Sequence, residues 1–273
     1  MSDHQDVALV TGASRGIGPV IARRLSRAGY RVVVTGRSQP EIAALAAELG
    51  GVAITADLVQ SEDVERLARE AEAVFGRVDV LVNNAGGDPQ LEFDAMTWEQ
   101  NQAIFALNVL APIHLAHELL PGMLARRHGH VVNISSIAGR VSFPYTEAYA
   151  AAKDGLIGFS RVLRNDYRTR GVSASAVILG AIRDAGQGDR TAKELGFDMP
   201  NMGTSPASAV GDAVLRAIRD DRPEIVVMPG PGRVLKAVMD LFPGLGPAMN
   251  RAAGANKTMA TVIEYRKRQA LQN

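Results

Sequence analysis

The amino-acid sequence predicts an α/β fold in which a parallel sheet of about seven strands carries helices on both faces. Two observations predict it: short apolar runs alternate along the chain with longer segments of helical periodicity, and the first run leads directly into a glycine-rich turn. Neither a linker nor an internal repeat interrupts the alternation. Residues 1–273 are therefore taken as one doubly wound domain.

The apolar runs have the length of buried parallel strands, which are hydrophobic on both faces. Apolar residues at helical spacing fill the intervals between them. The predicted strands cover 7–10, 32–35, 52–55, 78–82, 130–134, 173–179 and 224–228, and the predicted helices cover 16–29, 39–50, 61–76, 97–127, 145–171 and 206–220.

Two segments depart from this rhythm. Residues 183–205 are rich in Gly, Asp and Met and are expected to form a mobile substrate flap. Residues 229–273 follow the last strand as a C-terminal extension whose apolar residues stand near helical spacing. This tail is expected to be helical and to cover the substrate pocket, a partner subunit, a membrane surface or its own domain. Its apolar stripe consists of Leu235, Val238, Met239, Leu241 and Phe242.

A glycine-rich turn, Thr11-Gly12-Ala13-Ser14-Arg15-Gly16-Ile17-Gly18, joins the first predicted strand to the first predicted helix. In that context Gly12 permits a tight turn, Gly16 lets the backbone approach a phosphate, and Gly18 lets the helix pack on the strand. The helix amino terminus then offers free N–H groups to a diphosphate. The segment indicates a Rossmann-type dinucleotide site, the alternative being an ordinary flexible loop.

The end of the second predicted strand indicates which dinucleotide is bound. NAD sites of this type carry a carboxylate about 20 residues past the glycines, where it binds the ribose hydroxyls. Residues 35–38 are Thr, Gly, Arg and Ser, and Arg15 lies inside the turn. Two guanidiniums suit a 2′-phosphate. We therefore expect NADP(H) in preference to NAD(H), the alternative being that Arg37 is a solvated surface charge.

Tyr149 and Lys153 stand four residues apart in a helical pattern, so their side chains share one face. A phenol with its ordinary pKa of about 10 is a poor acid near neutrality. A neighbouring ammonium stabilises the phenolate and lowers that pKa, which makes the phenol usable for proton transfer. The alternative is a half-buried aromatic beside a solvated charge, and the dinucleotide motif upstream favours the catalytic interpretation.

Composition limits the other possibilities. The chain has 273 residues, of which 47% are hydrophobic and 22% charged, and its net charge is +1, so nucleic acid is not an expected partner. Because there is no cysteine and the five histidines show no ligand pattern, a metal site is not expected. The polar start lacks a signal-peptide core, and no apolar run approaches the roughly 20 residues that span a bilayer. A cytoplasmic protein is therefore expected.

Further motifs identify the chain as similar to the short-chain dehydrogenase/reductase family over about residues 6–230. The glycine turn fits the family's TGxxxGxG pattern, and Asn83-Asn84-Ala85-Gly86 fits its NNAG signature. Asn133-Ile134-Ser135-Ser136 ends the fifth strand, and Tyr149 with Lys153 completes YxxxK.

The resemblance implies a role for each matching residue. Ser136 would hydrogen-bond the substrate oxygen, with Ser135 as a structural neighbour, and Tyr149 would pass the proton. Lys153 would contact the nicotinamide ribose and lower the tyrosine pKa, and Asn108 would anchor a water near the lysine. The expected catalytic residues are Asn108, Ser136, Tyr149 and Lys153, and the expected cofactor-binding residues are Gly12, Ser14, Arg15, Gly16, Ile17, Gly18, Arg37, Ser38, Asp57, Leu58, Asn84, Ala85, Gly86, Tyr149, Lys153, Gly180 and Ile182.

The resemblance leaves the assignment open at two places, Asp57 and the segment after the sixth strand. Asp57 is implied to contact the adenine amino group, the alternative being a cap for the helix that begins near Ser61. After the sixth strand, relatives carry Pro-Gly and then a Thr two or three residues on, where this chain has Leu179-Gly180-Ala181-Ile182-Arg183-Asp184. Gly180 is kept, and Ile182 still offers backbone groups to the carboxamide of the nicotinamide. Because the Pro and Thr are missing, the residues that clamp this carboxamide are left unassigned.

The expected function is NADP(H)-dependent interconversion of a carbonyl and an alcohol, with a small or medium apolar substrate. The alternatives are an NAD-linked alcohol dehydrogenase of the same family and a non-catalytic NADP-binding sensor or scaffold. Relatives pair their long helices, so a homodimer or homotetramer is expected. The pocket is expected to include Phe93, Ile137, Val141, Phe143, Tyr145, Phe197 and Met199.

Overall fold

A parallel sheet of seven strands forms the centre of the molecule. The computed structural model describes residues 5–196, 199 and 203–270, so Phe197 of the expected pocket lies outside the described residues. The sheet strands are β1 Val7–Val10, β2 Arg31–Gly36, β3 Val52–Thr55, β4 Val80–Asn83, β5 Gly129–Ser136, β6 Val172–Leu179 and β9 Glu224–Val227, while β7 Ile182–Arg183 and β8 Ser205–Pro206 form a separate pair. The predicted fold class is confirmed, with small shifts at the strand ends.

The strand order is β3-β2-β1-β4-β5-β6-β9, and all neighbours are parallel. The chain proceeds outward from β1 to β3 and then returns to the other side of β1 to form β4. Such a reversal leaves a crevice at the carboxyl ends of the two strands beside it, and ligands of doubly wound sheets bind there. The glycine turn follows β1 and Asn84 follows β4, so both lie at this crevice.

Helices cover both faces of the sheet because successive residues of a strand point to opposite sides. In β1, Ala8 packs in one core cluster with Ile21 and Val214, while Leu9 packs in the other with Leu115. The helices are α1 Ile17–Arg27, α2 Gln39–Leu49, α3 Ser61–Phe75, α4 Trp98–Phe105, α5 Ala111–Arg126, α6 Glu147–Tyr167, α7 Gly186–Glu194, α8 Ala207–Arg219, α9 Gly232–Leu241, α10 Leu245–Ala252 and α11 Ala255–Ala270.

The helix α4 continues through a π-helical turn, Ala106–Leu110, into α5. This continuous helix, Trp98–Arg126, is long and apolar enough by length and composition to cross a membrane, contrary to the expectation that no such segment exists. Its residues Leu115 and Leu119 are fully buried against the sheet and α3. Part of the apolar character is thus used for packing in the core, while Trp98 and Leu110 of the same helix are exposed.

The two segments outside the regular alternation contain helices. The expected flap holds the short β7–β8 pair and α7, a helix of nine residues. The expected tail forms three helices, α9, α10 and α11. Asn250 of α10 donates to the carbonyl oxygens of Val141 (2.6 Å) and Ser142 (2.9 Å), so the tail packs on its own domain beside the expected substrate loop.

Candidate active site

The glycine turn after β1 forms a cradle that side chains would fill. Gly12 has φ +66°, and a Cβ there would lie 2.7 Å from Ala85 Cα. A Cβ at Gly18 would lie 2.2 Å from the carbonyl oxygen of Gly12, so only glycine lets α1 start this close to the turn. Gly16 has φ +69° and precedes the first residue of α1. With glycine at these positions the backbone can approach a diphosphate at the helix amino terminus, and the binding itself stays a prediction of the sequence.

Hydrogen bonds fix the loop after β4 against this turn. Thr11 Oγ1 accepts from the backbone N–H groups of Asn84 and Ala85, each at 3.0 Å. The Asn84 side chain donates to the carbonyl oxygens of Thr11 (2.9 Å) and Gly12 (3.2 Å). Asn84 thus acts on the shape of the turn itself. The sequence identified Thr11 only as a motif position. Its contacts join segments more than seventy residues apart. The strand order of the sheet reveals this pairing, whereas the local sequence does not.

Four of the expected residues meet at the carboxyl ends of β4 and β5. The Ser136 side chain lies near enough to the Tyr149 hydroxyl to act on its pKa. The Lys153 Nζ lies 5.7 Å from the centre of the Tyr149 ring and donates to the carbonyl oxygen of Ile134 at 2.9 Å. A Cβ at Gly86 would lie 2.7 Å from Asn108 Oδ1 and 2.9 Å from Lys153 Nζ. The spacing of the predicted motifs therefore brings the phenol, hydroxyl, amine and amide into one site.

Asn108 lies in the π-helical turn, and such single turns are frequent at functional sites. Its side chain donates to the carbonyl oxygens of Gly87 (2.8 Å) and Ile104 (2.9 Å), and its Oδ1 accepts from Gly87 N at 3.1 Å. Asn108 is fully buried. It fixes the segment that follows the NNAG motif beside Lys153.

Burial dominates the electrostatics of the site. It raises the pKa of Tyr149 to about 12, although the Ser136 side chain acts in the opposite direction and part of the ring still reaches solvent. Burial also lowers the pKa of Lys153 to about 8. The sequence predicts that the lysine depresses the tyrosine pKa, and that direction is not found. The physical reason is that burial removes the phenolate from water, while the amine bonds Ile134 O.

Asp88 is a charged neighbour of this site that the sequence analysis did not identify. Burial raises its pKa to about 6, with a hydrogen bond from the backbone of Gln90 opposing the shift and Glu147 adding to it. The negative charge of Asp88 contributes to the raised pKa of Tyr149. Asp88 follows the NNAG motif by two residues without belonging to any pattern, so no sequence signal marked it.

The residues expected at the adenosine end lie around the end of β2. Arg37 is exposed there, and the Ser38 hydroxyl donates to the Glu41 carboxylate. Ser14 Oγ would lie 2.0 Å from a Cβ at Gly36, so Ser14 packs on the last residue of β2.

Asp57 follows β3 at the same edge of the sheet. It accepts from Val59 N at 3.2 Å within its own turn, and the residue preceding α3 is Gln60, so Asp57 is not the cap of that helix. Leu58 beside it is buried. The turn therefore orients the carboxylate of Asp57 without tying it to α3.

The residues expected to clamp the nicotinamide carboxamide follow β6, and part of the expected substrate pocket follows β5. Gly180 N donates to Val227 O at 3.0 Å, and Ile182 is buried and pairs with Ser205 in the β7–β8 pair. Phe93 and Phe143 are exposed, whereas Ile137 is buried. The apolar side chains expected around a substrate are thus only partly covered.

A cavity of about 190 Å³ lies at the opposite, amino edge of the sheet, where Asp79, His130 and Asp221 line it. It is separate from the crevice that holds Tyr149, because β4, β5 and β6 begin at that edge and end at the other. We assign the candidate active site to the crevice, because Ser136, Tyr149 and Lys153 lie together there.

The model of the short chain dehydrogenase family matches residues 6–195. The chain belongs to this family. Among its relatives, this short-chain dehydrogenase is 34% identical to the ketoacyl reductase HetN of Nostoc over 229 residues, which is 82% of this chain and 78% of HetN. It is 35% identical to the 3-oxoacyl-[acyl-carrier-protein] reductase FabG of Escherichia coli over 178 residues, covering 64% and 73% of the two chains.

Solved structures agree with the fold of this short-chain dehydrogenase. A short-chain dehydrogenase from Streptomyces avermitilis has a TM-score of 0.76 at 29% identity, covering 94% of this chain and 99% of its own. A metagenomic short-chain oxidoreductase in complex with NADP has a TM-score of 0.68 at 34% identity, covering 82% and 97%. As an oxidoreductase of this family the chain binds a nicotinamide cofactor, and the glycine cradle fits one.

Proposed function

We propose that the chain is an NADP(H)-dependent reductase that interconverts a carbonyl and an alcohol, with Tyr149 as the acid and base. The observation that carries the proposal is the convergence of the Tyr149 hydroxyl, the Ser136 side chain and the Lys153 amine beside the glycine cradle. The preference for NADP(H) rests on Arg15 and Arg37 and on the absence of a carboxylate at residues 35–38. The relative bound to NADP supports it.

When bound, the cofactor supplies the hydride, and the residues of the chain stabilise the charge that grows on the substrate oxygen. The Ser136 side chain lies beside the Tyr149 hydroxyl, so a substrate oxygen bound at this pair would receive two donors. In the reducing direction the phenol must be protonated, and a pKa near 12 keeps it protonated across the physiological range. Lys153, held by Ile134 O and lying beside Gly86, would hold the nicotinamide ribose.

The substrate class we propose is an apolar carbonyl compound, with 3-oxoacyl thioesters as the first candidates. The names of two relatives, a ketoacyl reductase and a 3-oxoacyl-[acyl-carrier-protein] reductase, support this class. Apolar side chains near the site, such as Ile137 and Val141, agree with it. We further propose a cytoplasmic homodimer or homotetramer, because relatives pair the helices that correspond to α5 and α6.

The test is oxidation of NADPH, followed by absorbance, against a panel of 3-oxoacyl thioesters, ketones and aldehydes. Turnover of at least one class, with NADPH preferred to NADH, is the expected result. Saturable binding of NADPH with no turnover in either direction would favour a non-catalytic sensor or scaffold. Equal or better turnover with NADH would favour an NAD-linked dehydrogenase.

A further inference from the structure

We propose that Arg190 of α7 binds the diphosphate of the cofactor from the side opposite to the glycine turn. The inference rests on the proposed function only in that a nicotinamide dinucleotide occupies the glycine cradle. It adds a second half to the phosphate site, supplied by the segment expected to act as a flap.

The helix α7 begins directly against the glycine turn. A Cβ at Gly16 would lie 3.3 Å from Gly186 N and 3.4 Å from Arg190 Nη1. Gly186 has φ +93°, and a Cβ there would lie 3.4 Å from Ile17 Cδ1. The glycine whose backbone is expected to approach the diphosphate therefore has the Arg190 guanidinium as an immediate neighbour.

Among the residues that the structure describes, none forms an ion pair with Arg190, although acids lie close to it. Glu194, one helical turn away, pairs with Arg266 at 2.7 Å, and Asp189 pairs with Lys193 at 2.9 Å. Within residues 5–196, 199 and 203–270, no hydrogen bond or ion pair reaches the guanidinium of Arg190. Its pKa is lowered by burial and by the positive charge of Arg15. A half-buried guanidinium without a counterion is stabilised by an anion bound beside it.

Contacts with two other segments hold α7 in this position. Arg266 of α11 donates to Thr191 Oγ1 at 3.0 Å and to Gln90 Oε1 at 3.3 Å, and Thr191 donates to Gln90 Oε1 at 2.9 Å. Gln187 also exchanges hydrogen bonds with the backbone of Asp88. The tail and the loop after β4 thus position Arg190 over the turn. This arrangement occupies the region where the usual Pro and Thr of relatives are missing.

The position of Arg190 distinguishes between the two phosphate groups of NADPH. Arg190 lies at Gly16, in the middle of the turn, whereas Arg37 follows β2, where the ribose phosphate is expected. The diphosphate is common to NADPH and NADH. Loss of Arg190 should therefore weaken both cofactors by the same factor, whereas loss of a 2′-phosphate contact would weaken NADPH alone.

The experiment measures the dissociation constants of NADPH and NADH for the full chain by fluorescence, together with its turnover. The Arg190→Gln substitution should weaken both cofactors by a similar factor of about ten or more, as for a charged hydrogen bond, and Arg190→Lys should recover part of the loss. The dissociation constant of inorganic diphosphate, obtained from its competition with NADPH, should also be larger for Arg190→Gln than for the unmodified chain. Arg27→Gln, which removes an exposed arginine at the other end of α1, should change neither constant.

Three results would overturn the inference. Unchanged constants in Arg190→Gln would remove Arg190 from the site while leaving the proposed reductase intact. A loss confined to NADPH would assign Arg190 to the 2′-phosphate instead. An unmodified chain that binds neither cofactor would overturn both proposals, whereas binding without turnover would overturn the reductase and leave the role of Arg190 to be decided by the same two constants.

Discussion

The two edges of the sheet differ in how their charges are paired. At the amino edge, Asp79 accepts from Arg77 at 2.6 Å and from Val7 N at 3.0 Å. Asp221 accepts from Arg164 at 2.5 Å and from Arg168 at 2.6 Å. These acids are bonded to partners within the chain, so they join the starts of strands to neighbouring helices and loops.

At the carboxyl edge several cations have no such partners. Arg15, Arg37 and Arg190 form no ion pair with any residue that the structure describes. Lys153 is almost completely buried, and within the described part of the chain its amine donates to the uncharged carbonyl oxygen of Ile134 and to no carboxylate. A protein interior tolerates a charge without a counterion poorly. The contrast agrees with the proposal that an anionic cofactor binds, and a proton is transferred, at the carboxyl edge.

The amino edge also shows why a cavity or a cluster of acids does not by itself mark a site. Asp6, Asp79 and His128 stand close enough together to hold a metal ion. Asp79 is already bonded to Arg77, and His128 Nε2 is 3.1 Å from Asp6 Oδ2. The Arg77 guanidinium already lies against the Asp79 carboxylate, and its positive charge would repel a metal ion bound there.

The largest expected effect comes from removing the phenol. Tyr149→Phe should lower kcat by about a hundredfold or more, because one donor to the reacting oxygen is lost, while NADPH binding is largely kept. Steady-state rates and cofactor binding measure the two quantities. Tyr167→Phe, far from the crevice at the end of α6, is the matched control. Retained turnover in Tyr149→Phe would break the assignment of the acid to this edge.

A second prediction concerns the cost of the buried amine. The folded chain holds the pKa of Lys153 at about 8, below the value of about 10.4 for an unfolded lysine. Between these values the folded state binds fewer protons, so the free energy of unfolding should rise with pH relative to Lys153→Met. The rise is on the order of 2–3 kcal/mol from pH about 8 to about 10.

Urea unfolding of both proteins across that pH interval measures this difference. Lys257→Met, at an exposed position of α11, provides the control and should give a pH dependence parallel to the unmodified chain. If the difference between the unmodified chain and Lys153→Met stays flat with pH, the amine is not held in an unfavourable charged state. The contrast between the edges would then be weaker.

The third prediction tests the amino edge. Asp221→Asn should lower the free energy of unfolding by about 1–2 kcal/mol, because charged hydrogen bonds to Arg164 and Ser173 weaken and the carboxylate is partly screened by solvent. Asp221 has φ +48°, which asparagine tolerates, so backbone strain is not added.

The sign of the pH dependence follows from the lowered pKa of Asp221, which its bonds to Arg164 and Ser173 produce against the opposing effect of burial. The stabilisation is present above the unfolded pKa of about 4 and is lost as the pH falls below it. Asp220→Asn is the neighbouring control, since Asp220 approaches Arg222 only at 3.8 Å. Equal losses for the two variants, or an effect on turnover from Asp221→Asn, would contradict the division between the edges.

The elements that the sequence predicted well are those set by local pattern. The seven strands follow from apolar runs, and the glycine turn follows from close approaches that allow no Cβ, as at Gly18. Motif spacing also brought Ser136 and Tyr149 together.

The contacts that local pattern missed join distant segments. Arg266 meets Gln90 and Thr191 across 176 and 75 residues, and no periodicity records such pairs. The direction of the Tyr149 pKa was also missed, because burial depends on how the whole chain packs and not on the four-residue spacing to Lys153. The helix inside 183–205 was obscured by its low apolar content, since α7 buries Asp189 and Thr191 along with Ala192.

The smallest expected effect concerns the choice of cofactor. Arg37→Asp should shift the ratio of NADPH to NADH affinity by about tenfold toward NADH, because a carboxylate at this point accepts from the ribose hydroxyls and repels a 2′-phosphate. Arg37 is exposed and the neighbouring Ser38 hydroxyl is engaged by Glu41, so the substitution changes the binding surface without disturbing a contact. Arg27→Asp makes the same charge change at the last residue of α1, at the end of that helix away from the glycine turn. It should leave the ratio of NADPH to NADH affinity unaltered. An unchanged ratio in Arg37→Asp would mean that this arginine is a solvated surface charge. The unpaired cations assigned to ligand binding at the carboxyl edge would then be Arg15, Arg190 and Lys153.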